Sequence, residues 1–141
     1  MEFEHTIPRK VGLLWHRLSQ HLGNQLKEAG ADITPDQFRL LTQLWKMDGC
    51  NQLHLARLLG RDRSAITRMV SVLEKKGLIM RTADESDARV NRVYLTREGK
   101  SLRHLAEQGA MKTLDQALAG FSGEEAEVFK AMLEKMAKNL R

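Results

Sequence analysis

"LARLLGRDRSAITRMVSVLEKKGLIMRTADESDARVNRVYLTREG", residues 55–99, strings together two helical patterns, a three-residue break and a β-hairpin pattern. Just upstream, Asn51 can cap a short helix whose Leu53, Ala56, Leu58 and Leu59 supply apolar contacts, and Gly60 is placed to end it. After the turn Gly60-Arg61-Asp62, Asp62 can cap a second helix, RSAITRMVSVLEKK, which Gly77 stops. Two helices joined by a short glycine-containing turn are the outline of a helix-turn-helix. Beyond Gly77, LIMRT and RVYL are short β-favouring runs, so residues 81–96 read as part of an antiparallel hairpin. An isolated hairpin is marginal in water and must pack on the helices, through residues such as Leu78, Val93 and Leu95. The stretch therefore predicts a mainly α fold with a small β-hairpin wing, a winged helix-turn-helix.

Placed on a wheel of roughly 100° per residue, the second helix sorts into two faces. Arg63, Ser64, Thr67, Arg68, Ser71, Glu74 and Lys75 share the outer one, and Ala65, Ile66, Met69, Val70, Val72 and Leu73 the inner. Any surface helix divides in this way, but here the first two outer turns carry Arg63, Ser64, Thr67 and Arg68. Those turns are where a recognition helix presents side chains to the major groove, and arginine can pair bidentately with guanine O6 and N7. In the hairpin, Arg89 falls at the exposed tip, and Asp87, two residues earlier, is close enough to hold its guanidinium in one rotamer. A pre-positioned arginine suits the negative potential of a narrow minor groove. The plainer reading of the pair is a surface ion pair worth under about 1 kcal/mol.

Working outward, Ile7, Val11, Leu14, Trp15, Leu18, Leu22 and Leu26 form one stripe of a long amphipathic helix over 7–29, which Gly30 ends. Thr34, Pro35 and Gln37 make a capping box for a second helix reaching about Met47, and Asp48-Gly49 breaks it. On the other side Thr96 caps a long helix in which Leu102, Leu105, Ala106, Leu114, Ala117, Leu118 and Phe121 keep helical spacing. Ser122 and Glu125 box the start of a last helix carrying Val128, Phe129, Met132, Leu133, Met136 and Leu140.

The bulk properties agree with a DNA-directed reading head between neutral helices. Of the 141 residues, 42% are apolar and 29% charged, ordinary for one soluble domain. The net charge is +5, and residues 51–100 hold eleven Lys/Arg against six Asp/Glu while the rest of the chain balances. Excess positive charge confined to the middle third is the electrostatic footprint of a nucleic-acid-binding segment. No apolar run approaches the roughly 18 residues of a membrane span, and MEFEHTIPRK lacks the layout of a signal peptide, so a cytoplasmic protein without membrane partners is expected. The single Cys50 cannot form an internal disulfide, and His5, His16, His21, His54 and His104 show no zinc-site spacing. Neither a nucleophile-base pair nor a phosphate-cradling glycine loop marks an enzyme, and no cofactor or metal is expected.

Residues 55–99 resemble the core of the MarR family of bacterial winged-helix transcription regulators. The likeness lies in the Leu-Ala opening of the first helix-turn-helix element, the Leu-Glu-x-x-Gly-Leu-Ile exit (73–79), the Asp-x-Arg wing (87–89) and the Leu-Thr-x-x-Gly entry to the next helix (95–99). The resemblance implies a single domain over 1–141, with dimerisation helices at 6–30 and 100–141 around a DNA-binding lobe at 34–99. It implies a homodimer on a pseudo-palindromic operator, with repression the commoner outcome. Arg63, Ser64, Thr67 and Arg68 would read the major groove, Arg89 the minor groove, and Asp87 would position Arg89.

The resemblance further implies release by a small aromatic or phenolic ligand bound between the dimer helices and the lobe, for which Trp15, His16, Phe38 and Trp45 are the local candidates. Aromatic residues at helical spacing are more often core. The family's peroxide-sensing branch uses a reactive cysteine near the N-terminal helix, which this chain lacks; Cys50 reads as an inert thiol. A zinc-sensing variant would need clustered ligands, and His104 stands alone on its helix. A nonspecific nucleoid-associated protein and a winged-helix protein-interaction module are the alternatives from other classes. The first is separated by its specificity ratio. The second has no need of Arg63, Arg68 and Arg89 on one surface.

Overall fold

The computed structural model describes residues 2–141. Six α-helices and a three-stranded antiparallel sheet follow in the order α1 (Ile7–Glu28), α2 (Pro35–Lys46), β1 (Cys50–Asn51), α3 (Gln52–Leu59), α4 (Arg63–Lys75), β2 (Ile79–Ala83), β3 (Asn91–Leu95), α5 (Arg97–Ala117) and α6 (Gly123–Asn139), after a single 3₁₀ turn at Phe3–His5.

Local chemistry sets most of the boundaries. Thr34 accepts from the Gln37 backbone N–H while the Gln37 side chain accepts from the Thr34 N–H, both at 3.1 Å, closing the box that starts α2. Asn51 accepts from Leu53 N–H, Asp62 from Ala65 N–H, Thr96 from Gly99 N–H and Ser122 from Glu125 N–H, each satisfying an orphan donor of a first helical turn. Gly60 (φ 62°) takes the left-handed conformation that ends α3, which lets the chain turn within three residues into α4. The fifth helix ends at Ala117, short of Phe121, because Gly120 (φ 84°) turns the chain toward the Ser122 cap.

The sheet order is β1-β3-β2, with Ile79 opposite Leu95 and Arg81 opposite Val93 in the hairpin, and Cys50 opposite Val93 on the other side. The hairpin is thus the larger part of a three-stranded sheet, since β1 closes the far edge of β3. Two residues are too few for a period-2 pattern, so β1 left no trace in the sequence. Asp48, read as part of a helix break, also holds the sheet: its Oδ1 accepts from Leu95 N–H at 2.8 Å and from Gly49 N–H at 3.0 Å.

The core joins Leu26 of α1 to Leu40, Leu41 and Leu44 of α2, Leu55 and Leu59 of α3, Ile66, Val70 and Leu73 of α4, Ile79, Val93 and Leu95 of the sheet, and Ala106 of α5. The hairpin residues expected to anchor the wing do so: Val93 and Leu95 are buried and Leu78 packs against the cluster. α5 lies close along α1 because its contact face is small. A Cβ on Gly109 would come within 2.9 Å of the Gln25 carbonyl, so only glycine permits the crossing. At the start of α5, a Cβ on Gly99 would overlap the Leu78 carbonyl. Among the described residues no helix is long and apolar enough to cross a membrane, and no group of three or more His, Cys, Asp or Glu converges as for a metal ion.

Candidate nucleic-acid interface

The outer face of α4 is built as its spacing predicts, with one exception. Ile66, Val70 and Leu73 are fully buried, and Arg63, Ser64, Thr67, Arg68 and Lys75 are exposed. Val72 lies outside, 43% exposed, where the wheel had grouped it with the inner residues. It stands one turn after Arg68, so the apolar surface needed to dock α4 is supplied by Ile66, Val70 and Leu73 without it.

Hydrogen bonds divide the outer face into committed and free side chains. Ser71 Oγ donates to the Thr67 carbonyl at 3.0 Å. Glu74 turns to the sheet, accepting from the Arg81 backbone N–H at 3.0 Å and from its guanidinium at 3.2 Å, which ties β2 to α4. Among the described residues, Arg63, Ser64 and Arg68 make no side-chain hydrogen bond or ion pair within the chain. With Lys75, those three are the outer-face groups left to meet something else.

The wing is held by two ion pairs with different tasks. Arg92 on β3 donates to Asp84 and, through Nη1, to the Gly49 carbonyl at 2.9 Å, so one guanidinium links the wing loop to the turn before β1. Asp84 also accepts from the backbone N–H groups of Ser86 at 3.0 Å and Asp87 at 3.1 Å, which curls the loop around its carboxylate. The Arg92 guanidinium, followed by these N–H donors, holds the Asp84 carboxyl below its usual range. Sequence reading did not pair Asp84 with Arg92. The signal was their eight-residue separation across a turn, which only the hairpin register converts into contact.

The second pair is Asp87 with Arg89. The Arg89 guanidinium grips Asp87 with both ends, Nε to Oδ1 at 3.0 Å and Nη2 to Oδ2 at 3.2 Å, and the Arg89 backbone N–H adds a third bond to Oδ1 at 3.0 Å. Yet the Arg89 side chain is 91% exposed. A fixed rotamer on a fully solvated arginine loses less entropy on meeting a ligand than a free one. The same contacts hold the Asp87 carboxyl below its usual value, Arg89 being the main cause. Arg63 of α4 and Arg89 of the wing line one cleft, together with Asn51, Gln52, Leu53, Val90 and Asn91.

The four aromatic candidates fall into two pairs. Phe38 and Trp45 pack on the core edge-to-face, 6.0 Å between centroids, and Trp45 Nε1 donates to the Gly99 carbonyl at 2.9 Å, so its polar edge already ties α2 to α5. Trp15 is half exposed under the Arg39 guanidinium, 5.7 Å from its ring, and His16 is exposed beside it. A nearly all-apolar hollow lies further along α1 instead, between Leu14, Arg17, Leu18 and His21 of α1 and Thr113, Gln116 and Ala117 of α5. The His21 ring nitrogen Nδ1 is 2.9 Å from the Thr113 hydroxyl at its edge. Sequence reading passed over Arg17 and His21 because nothing in their spacing singles them out. Burial pushes the Cys50 thiol up, and its Sγ–H donates to the Met47 carbonyl at 2.8 Å, so the reactive thiolate is disfavoured.

Comparison with known proteins places this geometry. A sequence model of the MarR family matches residues 33–90. YxaD of Bacillus subtilis (strain 168), described as an uncharacterized HTH-type transcriptional regulator, is 31% identical over 122 residues, covering 86% of this chain and 85% of that one. Among solved structures, the S. aureus MepR–DNA complex superposes with a TM-score of 0.87 at 28% identity, over 96% of this chain and 99% of that one. The PcaV transcriptional regulator from Streptomyces coelicolor, in complex with its natural ligand, gives 0.82 at 25% identity, over 100% and 99%.

Proposed function

The chain belongs to the MarR family of transcriptional regulators, and from that premise we propose that it binds double-stranded DNA sequence-specifically as a homodimer and acts as a repressor. The observation that carries the reading is the exposed arginines: Arg63 and Arg68 on α4 without side-chain partners among the described residues, and Arg89, pre-oriented by Asp87, across the cleft that Arg63 also lines. In this reading Arg63, Ser64, Thr67 and Arg68 address base edges in the major groove, and Arg89 enters the minor groove with Asp87 as its positioning residue. The structural likeness to MepR, solved with DNA, supports it.

Dimerisation follows from what the helices leave uncovered. Ile7, Val11, Leu14 and Trp15 of α1 and Val128, Phe129, Met132, Leu133 and Met136 of α6 are exposed, and α6 buries none of its residues within its own chain. Exposed apolar faces of this extent need a partner, and a second copy related by a two-fold axis would cover both sets. Residues 6–30 and 100–141 then serve as dimerisation helices around the reading lobe at 34–99. A two-fold dimer that reads successive major grooves would hold its two α4 helices about 34 Å apart, one turn of DNA.

For release from DNA, the hollow between α1 and α5 is a small-molecule site to set beside the four aromatic candidates, and Leu14 at its rim also belongs to the apolar face that a second copy would meet. The hollow is apolar enough for an aromatic or phenolic ring, with Arg17 and His21 at hand for a polar substituent. PcaV, of the same fold, was solved with a ligand. A ligand there acts only by differing in affinity between the DNA-competent and incompetent dimers. Selection of bound sequences from a random duplex pool at near-physiological salt tests the main reading. It predicts an enriched pseudo-palindrome with half-sites about one helical turn apart, and recovery of DNA without a common sequence would contradict it.

A further inference from the structure

Thr67 stands on the exposed face of α4, one turn after Arg63 and next to Arg68, yet its hydroxyl is already occupied. It donates to the Arg63 carbonyl at 2.8 Å and accepts from Gln52 Nε2 on α3 at 2.9 Å. A hydroxyl has one proton to give, and here that proton serves the helix backbone. Were the Gln52 amide turned over, the hydroxyl would donate to it instead and would still be spent. The other amide atom, Gln52 Oε1, is enclosed and has no partner among the described residues, so the carboxamide is anchored at one end while its Nε2 holds the Thr67 hydroxyl. Threonine on a helix divides between two χ1 rotamers when its hydroxyl can bond the preceding turn, and the bond from Gln52 selects one of them.

What Thr67 has left to offer is its γ-methyl. In the major groove, thymine is the base that carries a methyl group, and an apolar side-chain methyl is its natural contact. We infer that Thr67 is a specificity-determining residue that reads the 5-methyl of a thymine through its own methyl group, with Gln52 as the positioning residue that holds the hydroxyl away. This rests on the proposed placement of α4 in the major groove. Arg63 and Arg68, free of partners, supply the hydrogen bonds to neighbouring bases, and Thr67 supplies a contact that excludes cytosine by shape and apolarity.

The test removes methyl groups from each side in turn. With the operator found by selection, each thymine of a half-site is replaced singly by deoxyuridine, which lacks only the 5-methyl, and binding is measured for the native chain and for Thr67→Ser. Serine keeps the hydroxyl and both its partners, so the variant retains the fold. The native chain should lose about fourfold in affinity at one thymine per half-site, the worth of one buried methyl. Thr67→Ser should lose nothing further at that position. In Gln52→Ala the thymine-over-deoxyuridine ratio at that position should fall toward one while the ratios at the other thymines stay as in the native chain, a change that a purely structural role would not produce. A selected operator with no such thymine, or an equal deoxyuridine loss in both proteins, overturns the inference and leaves DNA reading intact. Failure of the native chain to select any sequence overturns both.

Discussion

The reading lobe and the long helices handle apolar surface in opposite ways. In the lobe, Leu40, Leu41, Leu44, Leu55, Ile66, Val70, Leu73 and Val93 are fully or almost fully enclosed, and the side chains left outside on α4 are largely polar. In α1 and α6 the order is reversed: Ile7 and Met132 are each 62% exposed, and α6 meets the rest of the chain through contacts such as the tilted Phe121–Phe129 pair. The difference teaches which part is finished within one chain. The lobe encloses its apolar residues against Leu26 of α1 and Ala106 of α5 and displays Arg63 and Arg68, whereas the outward faces of α1 and α6 are the surfaces that the proposed second copy would cover.

The largest effect expected from that contrast is on assembly. Met132→Asp should lower dimer affinity at least about a hundredfold, because an unpaired carboxylate in a dry interface costs several kcal/mol, and sedimentation would read the change. An unaltered dimer would mean that α6 faces solvent. Next, Gly109→Ala should cost about 1–3 kcal/mol by forcing α5 off the Gln25 carbonyl, read by urea unfolding. A neutral result would show that the two helices can slide apart without loss, making the junction between the regions softer than its geometry implies.

Within the lobe the effects are smaller and differ in kind. Arg68→Ala should relax sequence preference at one position per half-site, worth about 1–3 kcal/mol of discrimination; a loss uniform over all sequences would assign Arg68 to phosphate. Arg89→Ala should weaken specific and nonspecific binding alike and flatten the salt dependence by about one unit per wing. The smallest effect concerns pH. Two of the wing carboxyls are held below their ordinary value of 3.8, Asp84 by Arg92 and Asp87 by Arg89. A lowered carboxyl pKa gives stability that is present above the ordinary value and lost only as the pH falls through the lowered one. The N–H signals of Ser86 and Asp87 should therefore stay constant from about pH 8 to pH 5 and move only in stronger acid. Movement near neutrality would mean that the Asp84 clamp is weaker than drawn.

How far the sequence could be read follows from how local each determinant is. The caps at Thr34, Asn51, Asp62, Thr96 and Ser122 act within three residues of themselves, and each was visible. The outer face of α4 followed from a period. The Asp87–Arg89 pair was legible because its partners are two residues apart. What was hidden depends on distant chain: β1 exists only through its pairing with β3, Arg92 reaches Gly49 across 43 positions, and Trp45 spends its indole N–H on Gly99 across 54. Gly109 carries no helical signal, since it matters only where α1 crosses it. The same limit explains the hollow between α1 and α5, in which Arg17 and His21 meet Thr113 of another helix.

The central claim is that one finished lobe, doubled by the unfinished helices, reads sequence. The most direct test is the ratio of affinities for the selected pseudo-palindrome and for a scrambled duplex of equal length, measured with the dimer at physiological salt. The account predicts a ratio of about a thousand or more. A ratio near one, with tight binding to both duplexes, would contradict it and leave a basic protein that holds DNA without reading it.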